Sequence, residues 1–202
     1  DYFRTYRGGI PITIRRNLIR LRNSCKLVSL SLRYTDEELH KAVLEAIAAN
    51  NTSSGLEFGV RIIVTGGVSS DSLTPDGTPS VFIIAQPLHD IPAEWRQNGV
   101  KCTTLKGLRI FPEAKHLNYI GAVCAIKKAK EQGAVEAIYC NDGKVYEGTV
   151  SNIFIVTAAG KLITPKEGVL LGVTRGIVIE KVLPAGEVEQ RDVTVDELQT
   201  AN

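Results

Sequence analysis

The sequence predicts an α+β fold divided into two domains. Two helical patterns, at residues 16–30 and 35–50, are followed by two runs rich in β-branched residues at 56–65 and 80–86. The stretch 87–93 contains two prolines and few apolar residues, which is typical of a linker. Short strands, tight turns and helices alternate after it. We therefore expect a small α/β domain at 1–86, a linker at 87–93 and a larger β-rich domain at 94–202.

The first domain should open with a hairpin and continue into two helices. Residues 2–6 and 10–14 alternate in polarity around Gly8-Gly9, a pattern that favours two paired strands. Thr35 and Glu38 have the spacing of a capping box, in which side chain and backbone at a helix start bond each other reciprocally. The second helix should therefore begin directly after Thr35.

The second domain reads as hairpins separated by helices. Asn141-Asp-Gly143 is a strong turn signal between two strand patterns, and Gly133 is well placed to end the helix before them. The predicted order is a strand at 99–105, a helix at 118–132, hairpins at 134–147 and 151–164, a helix at 174–183 and a strand at 188–193. A second capping box, Thr194 and Glu197, starts a last helix.

Composition excludes several classes of partner. The 202 residues are 44% hydrophobic and 23% charged with a net charge of +2, so no nucleic-acid partner is expected. No apolar run reaches about 18 residues, so no membrane span is predicted. The four cysteines are irregularly spaced and form no metal-binding pattern. We therefore expect free thiols, a cytoplasmic location and no metal site.

The sequence has the character of part of a longer chain. It contains no methionine, begins at Asp1 and ends shortly after the capping box at Thr194. We expect the second domain to be truncated at its C-terminus.

Three features of the second domain suit one kind of chemistry. Lys115 follows an extended segment that ends at Pro112, Glu147 stands at a strand-to-loop corner, and Gly172 leads a helix start. A lone lysine is ordinarily a solvated side chain. A lysine amine, a carboxylate for a pyridinium nitrogen and a helix N-terminus for a phosphate are together what pyridoxal 5'-phosphate (PLP) requires of a protein.

The same residues resemble a known family. The order K-x-x-N-Y at 115–119, E-G-x-x-S-N at 147–152 and L-x-G-V-T-R at 170–175 is similar to the class IV, fold-type IV PLP enzymes. That family includes branched-chain aminotransferases, D-amino acid aminotransferases and aminodeoxychorismate lyases. The resemblance implies a small α/β domain, a larger domain with a pseudo-barrel, a homodimer, and amino acid and 2-oxo acid substrates.

The resemblance also assigns roles around the cofactor ring. Lys115 would bond the cofactor covalently and then carry the substrate proton, and Glu147 would pair with the ring nitrogen. Tyr119 would hydrogen-bond the phenolic oxygen, and Leu170 or Leu171 would pack against the ring face. The ordinary alternatives are a turn residue for Glu147 and an aromatic packed at a helix start for Tyr119.

The cofactor phosphate has three expected ligands. The segment Asn17-Leu-Ile-Arg-Leu21 resembles the family's H-L-x-R-L, which places Arg20 on the phosphate arginine, although Asn17 replaces the histidine. Val173 and Thr174 would supply backbone N–H groups and a hydroxyl from the helix start. A surface arginine on an amphipathic helix is the alternative for Arg20.

The substrate-binding residues are expected in the first domain. Phe3 and Arg4 match a strand that faces the substrate in the family, and Arg4 could equally lie on a solvated face. Arg61 matches the arginine of a Y-x-R-P segment, but Gly59 and Ile62 replace its tyrosine and proline. The carboxylate site of branched-chain enzymes is therefore altered here.

Four functions stay open at this point. A branched-chain aminotransferase is favoured by the strand around Arg4 and by the Asn118-Tyr119 pair, whereas the spacing Lys115-His-Leu-Asn118 is closer to the lyases and D-amino acid aminotransferases. A non-enzymatic interaction module is the fourth alternative, which intact Lys115 and Glu147 disfavour.

Overall fold

The computed structural model describes residues 1–50, 55–88, 90–182 and 187–201, and these form two compact units, Asp1–Ile91 and Pro92–Asn202. The boundary falls inside the stretch 87–93 that composition marks as a linker, and His89 within that stretch lies outside the described residues. Both units combine helices with sheets, which confirms the mixed fold class. The strands of the described residues form separate sheets and no closed barrel.

Unit 1 is a three-stranded antiparallel sheet covered by two helices. The sheet has the order β1-β2-β3. Its elements are β1 (Tyr2–Arg4), α1 (Ile14–Leu27), α2 (Asp36–Asn50), β2 (Phe58–Thr65) and β3 (Ser80–Pro87). The predicted capping box is present, since Glu38 N–H donates to Thr35 Oγ1 and Thr35 N–H donates to the Glu38 carboxylate.

The predicted N-terminal hairpin is wrong. Only an isolated bridge joins Tyr6 to Ile10, and α1 begins at Ile14, where a second strand was expected. β1 pairs instead with β2, with Phe3 opposite Val60. The alternation at 10–14 is therefore the approach to a helix rather than a strand.

The core of unit 1 lies between the helices and one face of the sheet. The buried side chains of α1 and α2 recur at helical spacing, and those of β2 alternate. Phe3 belongs to this cluster, together with Leu18, Leu21, Val43, Ile47, Phe58, Val60 and Ile62. Tyr2 and Arg4 are the neighbours of Phe3 on β1, so their side chains project from the opposite face of the sheet.

The described residues of unit 2 form two sheets with orders β10-β6-β5-β4 and β7-β8-β9. Its helices are α3 (Ala93–Asn98), α4 (Ile120–Glu131), α5 (Val173–Ile177) and α6 (Val195–Gln199). Its strands are β4 (Cys102–Lys106), β5 (Glu136–Asn141), β6 (Lys144–Gly148), β7 (Ile155–Val156), β8 (Leu162–Thr164), β9 (Val188–Gln190) and β10 (Val193–Thr194). The helix predicted at 174–183 differs from expectation, because α5 continues as a π-helical segment at Val178–Val182.

Local chemistry explains the connections of the four-stranded sheet. β4 and β5 are parallel and are joined across α4, whereas β5 and β6 form an antiparallel hairpin. Asp142 and Gly143 turn that hairpin, and both have positive φ angles (48° and 74°), as the tightest hairpin turns require. The capping box at Thr194 and Glu197 is also present at the start of α6.

Among the described residues, no helix combines the length and apolar character needed to cross a bilayer. All four cysteines are free thiols, with Cys25 and Cys140 buried and Cys102 and Cys124 exposed.

Candidate active site

The candidate site in unit 2 is built around a buried carboxylate. Glu147 lies near the end of β6 and is only 4% exposed. Its Oε1 accepts a hydrogen bond from Arg109 Nε (2.6 Å), and its Oε2 accepts one from the Leu170 N–H (2.9 Å). A carboxylate can be buried only with such partners, because its desolvation is otherwise too costly. Glu147 is therefore held by groups from two different loops.

Arg109 also bonds the loop that carries Lys115. Its guanidinium donates to the carbonyl oxygens of Pro112 and Ala114, the latter over 3.4 Å. The side chain is about as buried as its partner, at 10% against 5% exposed. Sequence patterns gave no role to Arg109, since its importance depends on a residue 38 positions away.

Lys115 lies in the loop between β4 and α4 and lines one cleft with Glu147. The other walls of the cleft include Arg109, Tyr119, Asn152 and Leu170. Lys115 is half-buried, whereas the preceding Ala114 is fully buried. The amine and the carboxylate proposed from the sequence therefore belong to the same cleft.

His116 is bonded within its own loop. Asn118 N–H donates to His116 Nδ1 (3.2 Å), which leaves Nε2 to donate to the Ile110 carbonyl oxygen (2.5 Å). These contacts fit one neutral tautomer. The histidine beside Lys115 therefore stabilises the loop and has no catalytic assignment.

Two tyrosines stand near the ion pair. Tyr119 lies at the N-cap of α4 and lines the cleft. Tyr139 on β5 is 7% exposed, and burial raises the pKa of its phenol. The charge of Arg109 lowers that pKa and the charge of Glu147 raises it, so the phenol lies within their field. No sequence signal had singled out Tyr139.

A second carboxylate fixes the turn that follows Glu147. Glu136 accepts hydrogen bonds from the Val150 N–H (2.7 Å), Ser151 Oγ (3.0 Å) and Thr149 Oγ1 (3.3 Å). A Cβ at Gly148 would lie 2.4 Å from the Glu136 carboxylate, so a larger residue would have to displace the side chain that fixes the turn. The motif glycine therefore allows the turn to close tightly over Glu136.

Asn152 joins this turn to the segment that precedes α5. Asn152 Nδ2 donates to the Leu170 carbonyl oxygen (2.8 Å), while the Leu170 N–H bonds Glu147. A Cβ on Gly172 would lie 2.0 Å from Asn152 Oδ1, so a larger residue at the N-cap of α5 would have to displace the Asn152 side chain. Both motif glycines therefore serve close approach of chain segments.

Val173 and Thr174 form the first turn of α5, with Thr174 exposed. The first N–H groups of a helix have no acceptor within the helix, so they suit an anion. Arg175 connects this turn to the segments that carry Pro165 and Gln190. It is 5% exposed and donates to the Pro165 carbonyl oxygen (2.9 Å) and Gln190 Oε1 (3.1 Å), and desolvation lowers its pKa.

The expected substrate residues lie on two sides of the unit 1 sheet. Arg4 and Arg61 occupy the outer face, where Arg4 lies over the Tyr6 ring (4.9 Å) and Arg61 over the Tyr2 ring (5.3 Å). Phe3 is 4% exposed and packs into the core. A substrate contact by Phe3 would require it to leave that packing, so we do not retain it among the substrate residues.

Arg20 presents its planar fork to a carboxylate. Arg20 Nε and Nη2 donate to the two oxygens of Asp1, over 2.9 Å and 2.8 Å. This paired geometry is the one that suits carboxylate and phosphate anions. The residue belongs to unit 1 and is 12% exposed at its side chain.

The donor set of the cleft fits the cofactor that the sequence resemblance implies. The cleft contains an amine and a buried carboxylate, and Leu170 on its wall belongs to the segment that leads to the start of α5. Each oxygen of Glu147 can accept two hydrogen bonds, so one bond to each leaves capacity for a protonated ring nitrogen. Among the described residues, no cluster of histidine, cysteine and acidic side chains could hold a metal ion.

Comparison with known proteins finds one matching family model and several relatives. A family model described as amino-transferase class IV matches residues 1–202. The chain is 34% identical over 205 residues to a protein of Methanocaldococcus jannaschii provisionally named a branched-chain-amino-acid aminotransferase, a match covering 96% of this chain and 69% of the relative. It is 30% identical over 204 residues to the D-alanine aminotransferase of Bacillus licheniformis, with 96% and 69% covered.

A solved structure has the same fold over the whole chain. The branched-chain amino acid aminotransferase of Thermobaculum terrenum in its PLP form superposes with a TM-score of 0.81 at 26% identity. The match covers 100% of this chain and 69% of that one.

Replacing Gly172 with alanine tests the close packing at the site. Gly172→Ala should lower the free energy of unfolding by about 1–3 kcal/mol, because its Cβ overlaps Asn152. Gly121→Ala is the matched control, since a Cβ on Gly121 in α4 meets no atom within 4 Å. That variant should be stabilised by about 0.5–1 kcal/mol. Chemical denaturation measures both changes, and equal stability of the two variants would contradict the packing described here.

Proposed function

Because the chain belongs to the class IV amino-transferase family, we propose that it is a PLP enzyme that transfers an amino group between an amino acid and a 2-oxo acid. The observation that carries this proposal is the shared cleft of Lys115 and Glu147, in which the carboxylate is already fixed by Arg109 and Leu170. When bound, PLP supplies the electron sink that stabilises negative charge at the substrate Cα.

Lys115 is the proposed covalent attachment point and proton carrier. After a substrate amine displaces it, the freed Nζ would take the proton from the substrate Cα and deliver it to C4′ of the cofactor. Its position on a loop bonded by Arg109 supports this role, because a proton carrier must be held within reach of the atom it serves.

Glu147 is the proposed partner of the ring nitrogen. Both of its oxygens are oriented by existing donors, so the remaining acceptor sites have fixed directions before the cofactor binds. Leu170 donates its N–H to Glu147 and would also pack against the ring face. Tyr119, on the cleft wall, would bond the phenolic oxygen.

Val173, Thr174 and Arg20 are the proposed phosphate ligands. The first two belong to the start of α5, where backbone donors and a hydroxyl suit an anion. Arg20 is proposed on its sequence match, and its guanidinium has the paired donor geometry that suits an anion.

Arg4 and Arg61 are the proposed carboxylate ligands of the substrate. They lie on the same face of the unit 1 sheet. Arg4 and Tyr2 are two residues apart on β1 and therefore share a face, and Tyr2 is paired directly with Arg61 on β2. Each guanidinium lies over a tyrosine ring, which limits its freedom and favours recognition of an anion.

A branched-chain amino acid is the first proposed substrate class. The 34% identity to the M. jannaschii protein supports it, whereas the 30% identity to D-alanine aminotransferase supports a D-amino acid. The spacing of Lys115 and Asn118 keeps a pyruvate-releasing aminodeoxychorismate lyase as a further alternative. The proposal includes a homodimer, as the family resemblance implies, and sedimentation of the loaded enzyme tests it.

Replacing Lys115 tests the attachment point. Lys115→Ala should lose the visible absorption of bound cofactor and at least about 100-fold in turnover, because the proton carrier is removed. Lys127→Ala, which changes an exposed lysine of α4, is the control and should keep both properties. Full turnover by Lys115→Ala would exclude the assigned role.

A half-reaction screen separates the substrate classes. The loaded enzyme is mixed with L-leucine, L-glutamate, D-alanine or aminodeoxychorismate, and the loss of visible absorption and release of pyruvate are recorded. We expect L-leucine to convert the cofactor and Arg4→Gln or Arg61→Gln to raise KM for the 2-oxo acid. Conversion by D-alanine alone, or pyruvate release from aminodeoxychorismate, would instead select one of the alternatives.

A further inference from the structure

Arg109 connects the two groups on which the proposed chemistry depends. Its Nε bonds Glu147 Oε1 over 2.6 Å, and its remaining nitrogens bond the carbonyl oxygens of Pro112 and Ala114. Ala114 immediately precedes Lys115. One rigid, planar guanidinium therefore spans the distance between the carboxylate on β6 and the loop that carries the amine.

We propose that Arg109 is a positioning residue, which sets the Lys115 loop and the Glu147 carboxylate in a fixed relation before the cofactor binds. The inference rests on the proposed function, which identifies those two groups as the cofactor's partners. Arg109 touches neither the substrate nor a reacting atom in this account, and it acts through the two groups it bonds.

The fork geometry is the reason that arginine occupies this position. Guanidinium offers five N–H donors in one plane, so a single side chain can serve a carboxylate and two carbonyl oxygens in fixed directions. A lysine ammonium carries the same charge but has no such plane. Charge alone could stabilise Glu147, whereas the link to Pro112 and Ala114 needs the additional donors.

Leu170 completes the restraint on the carboxylate. Because the Leu170 N–H bonds Oε2 while Arg109 bonds Oε1, rotation of the Glu147 carboxylate about its terminal bond would break both contacts. Its remaining lone pairs therefore point in set directions. Groups that are oriented in advance bind a ligand without the cost of ordering them at that moment.

The loop that carries Lys115 contains a residue in a strained backbone conformation. Phe111 has a positive φ of 48°, a conformation that non-glycine residues rarely adopt and that needs stabilisation from its surroundings. The Ala114 N–H donates to the Phe111 carbonyl oxygen (2.9 Å), which closes a turn. The carbonyl oxygens of Pro112 and Ala114 in this turn accept hydrogen bonds from Arg109. Without the guanidinium, this turn should open more often.

The first test needs no cofactor. Hydrogen exchange of the cofactor-free Arg109→Lys variant should show faster exchange at Ala114 and its neighbours in the 110–119 loop, with unchanged exchange in α4 beyond its first turn. Arg191→Lys is the matched control, because Arg191 also bridges two segments through Glu189 and Glu197 but does not line the cleft. It should leave the 110–119 loop unchanged. Equal protection of that loop in wild type and Arg109→Lys would overturn the proposal.

The second test measures the affinity for PLP by absorbance titration. Arg109→Lys should raise Kd about tenfold, the size of effect of one charge-assisted hydrogen bond, and Arg109→Gln should raise it further. A role in general stability alone would lower the melting temperature and leave the Kd of the folded fraction unchanged, so wild-type affinity in Arg109→Lys contradicts the inference.

A double-variant cycle shows whether Arg109 acts through Glu147. The effect of Arg109→Lys on Kd should shrink in a Glu147→Gln background, because the shared contact is then already weakened. Fully additive effects of the two substitutions on Kd would contradict the proposal that Arg109 acts through Glu147. If wild type itself fails to bind PLP, the proposed function fails, while the hydrogen-exchange result still decides the role of Arg109 in the loop.

Discussion

A carboxylate buried beneath the cleft constrains the rest of unit 2. The Glu147 carboxylate can be buried away from water only if hydrogen-bond donors are supplied, and the chain supplies them from Arg109 and from the Leu170 N–H. Those donors bring together three segments that are far apart in the sequence. The loop before α4, the end of β6 and the segment that precedes α5 therefore meet at the cleft that contains Lys115 and Glu147.

Close packing of backbone holds this arrangement. Gly148 and Gly172 lie where a Cβ would overlap the Glu136 carboxylate and the Asn152 amide. Asn152 in turn bonds the Leu170 carbonyl oxygen, so the same residue of the α5 approach is held through both its N–H and its carbonyl. The glycines of the two motifs thus have a physical reason that is separate from cofactor contact.

Residues close together in the sequence predicted helix starts and turns well, whereas contacts between residues far apart in the sequence were predicted poorly. The capping boxes at Thr35 and Thr194 and the Asp142-Gly143 turn depend on residues a few positions apart, and the structure confirms all three. β1 itself was predicted, but its partner was wrong, because it pairs with β2, near Val60, rather than with the adjacent segment. Arg109 stayed unassigned since its carboxylate partner lies 38 residues away.

The proposed function depends most on the identity of the lysine that bonds PLP. Borohydride reduction of the loaded protein would make that bond permanent, and peptide mass spectrometry would then locate it. We expect the pyridoxyl group on the peptide containing Lys115 and on no other. A modified peptide elsewhere in the chain, or an unmodified Lys115 in fully loaded protein, would contradict the account.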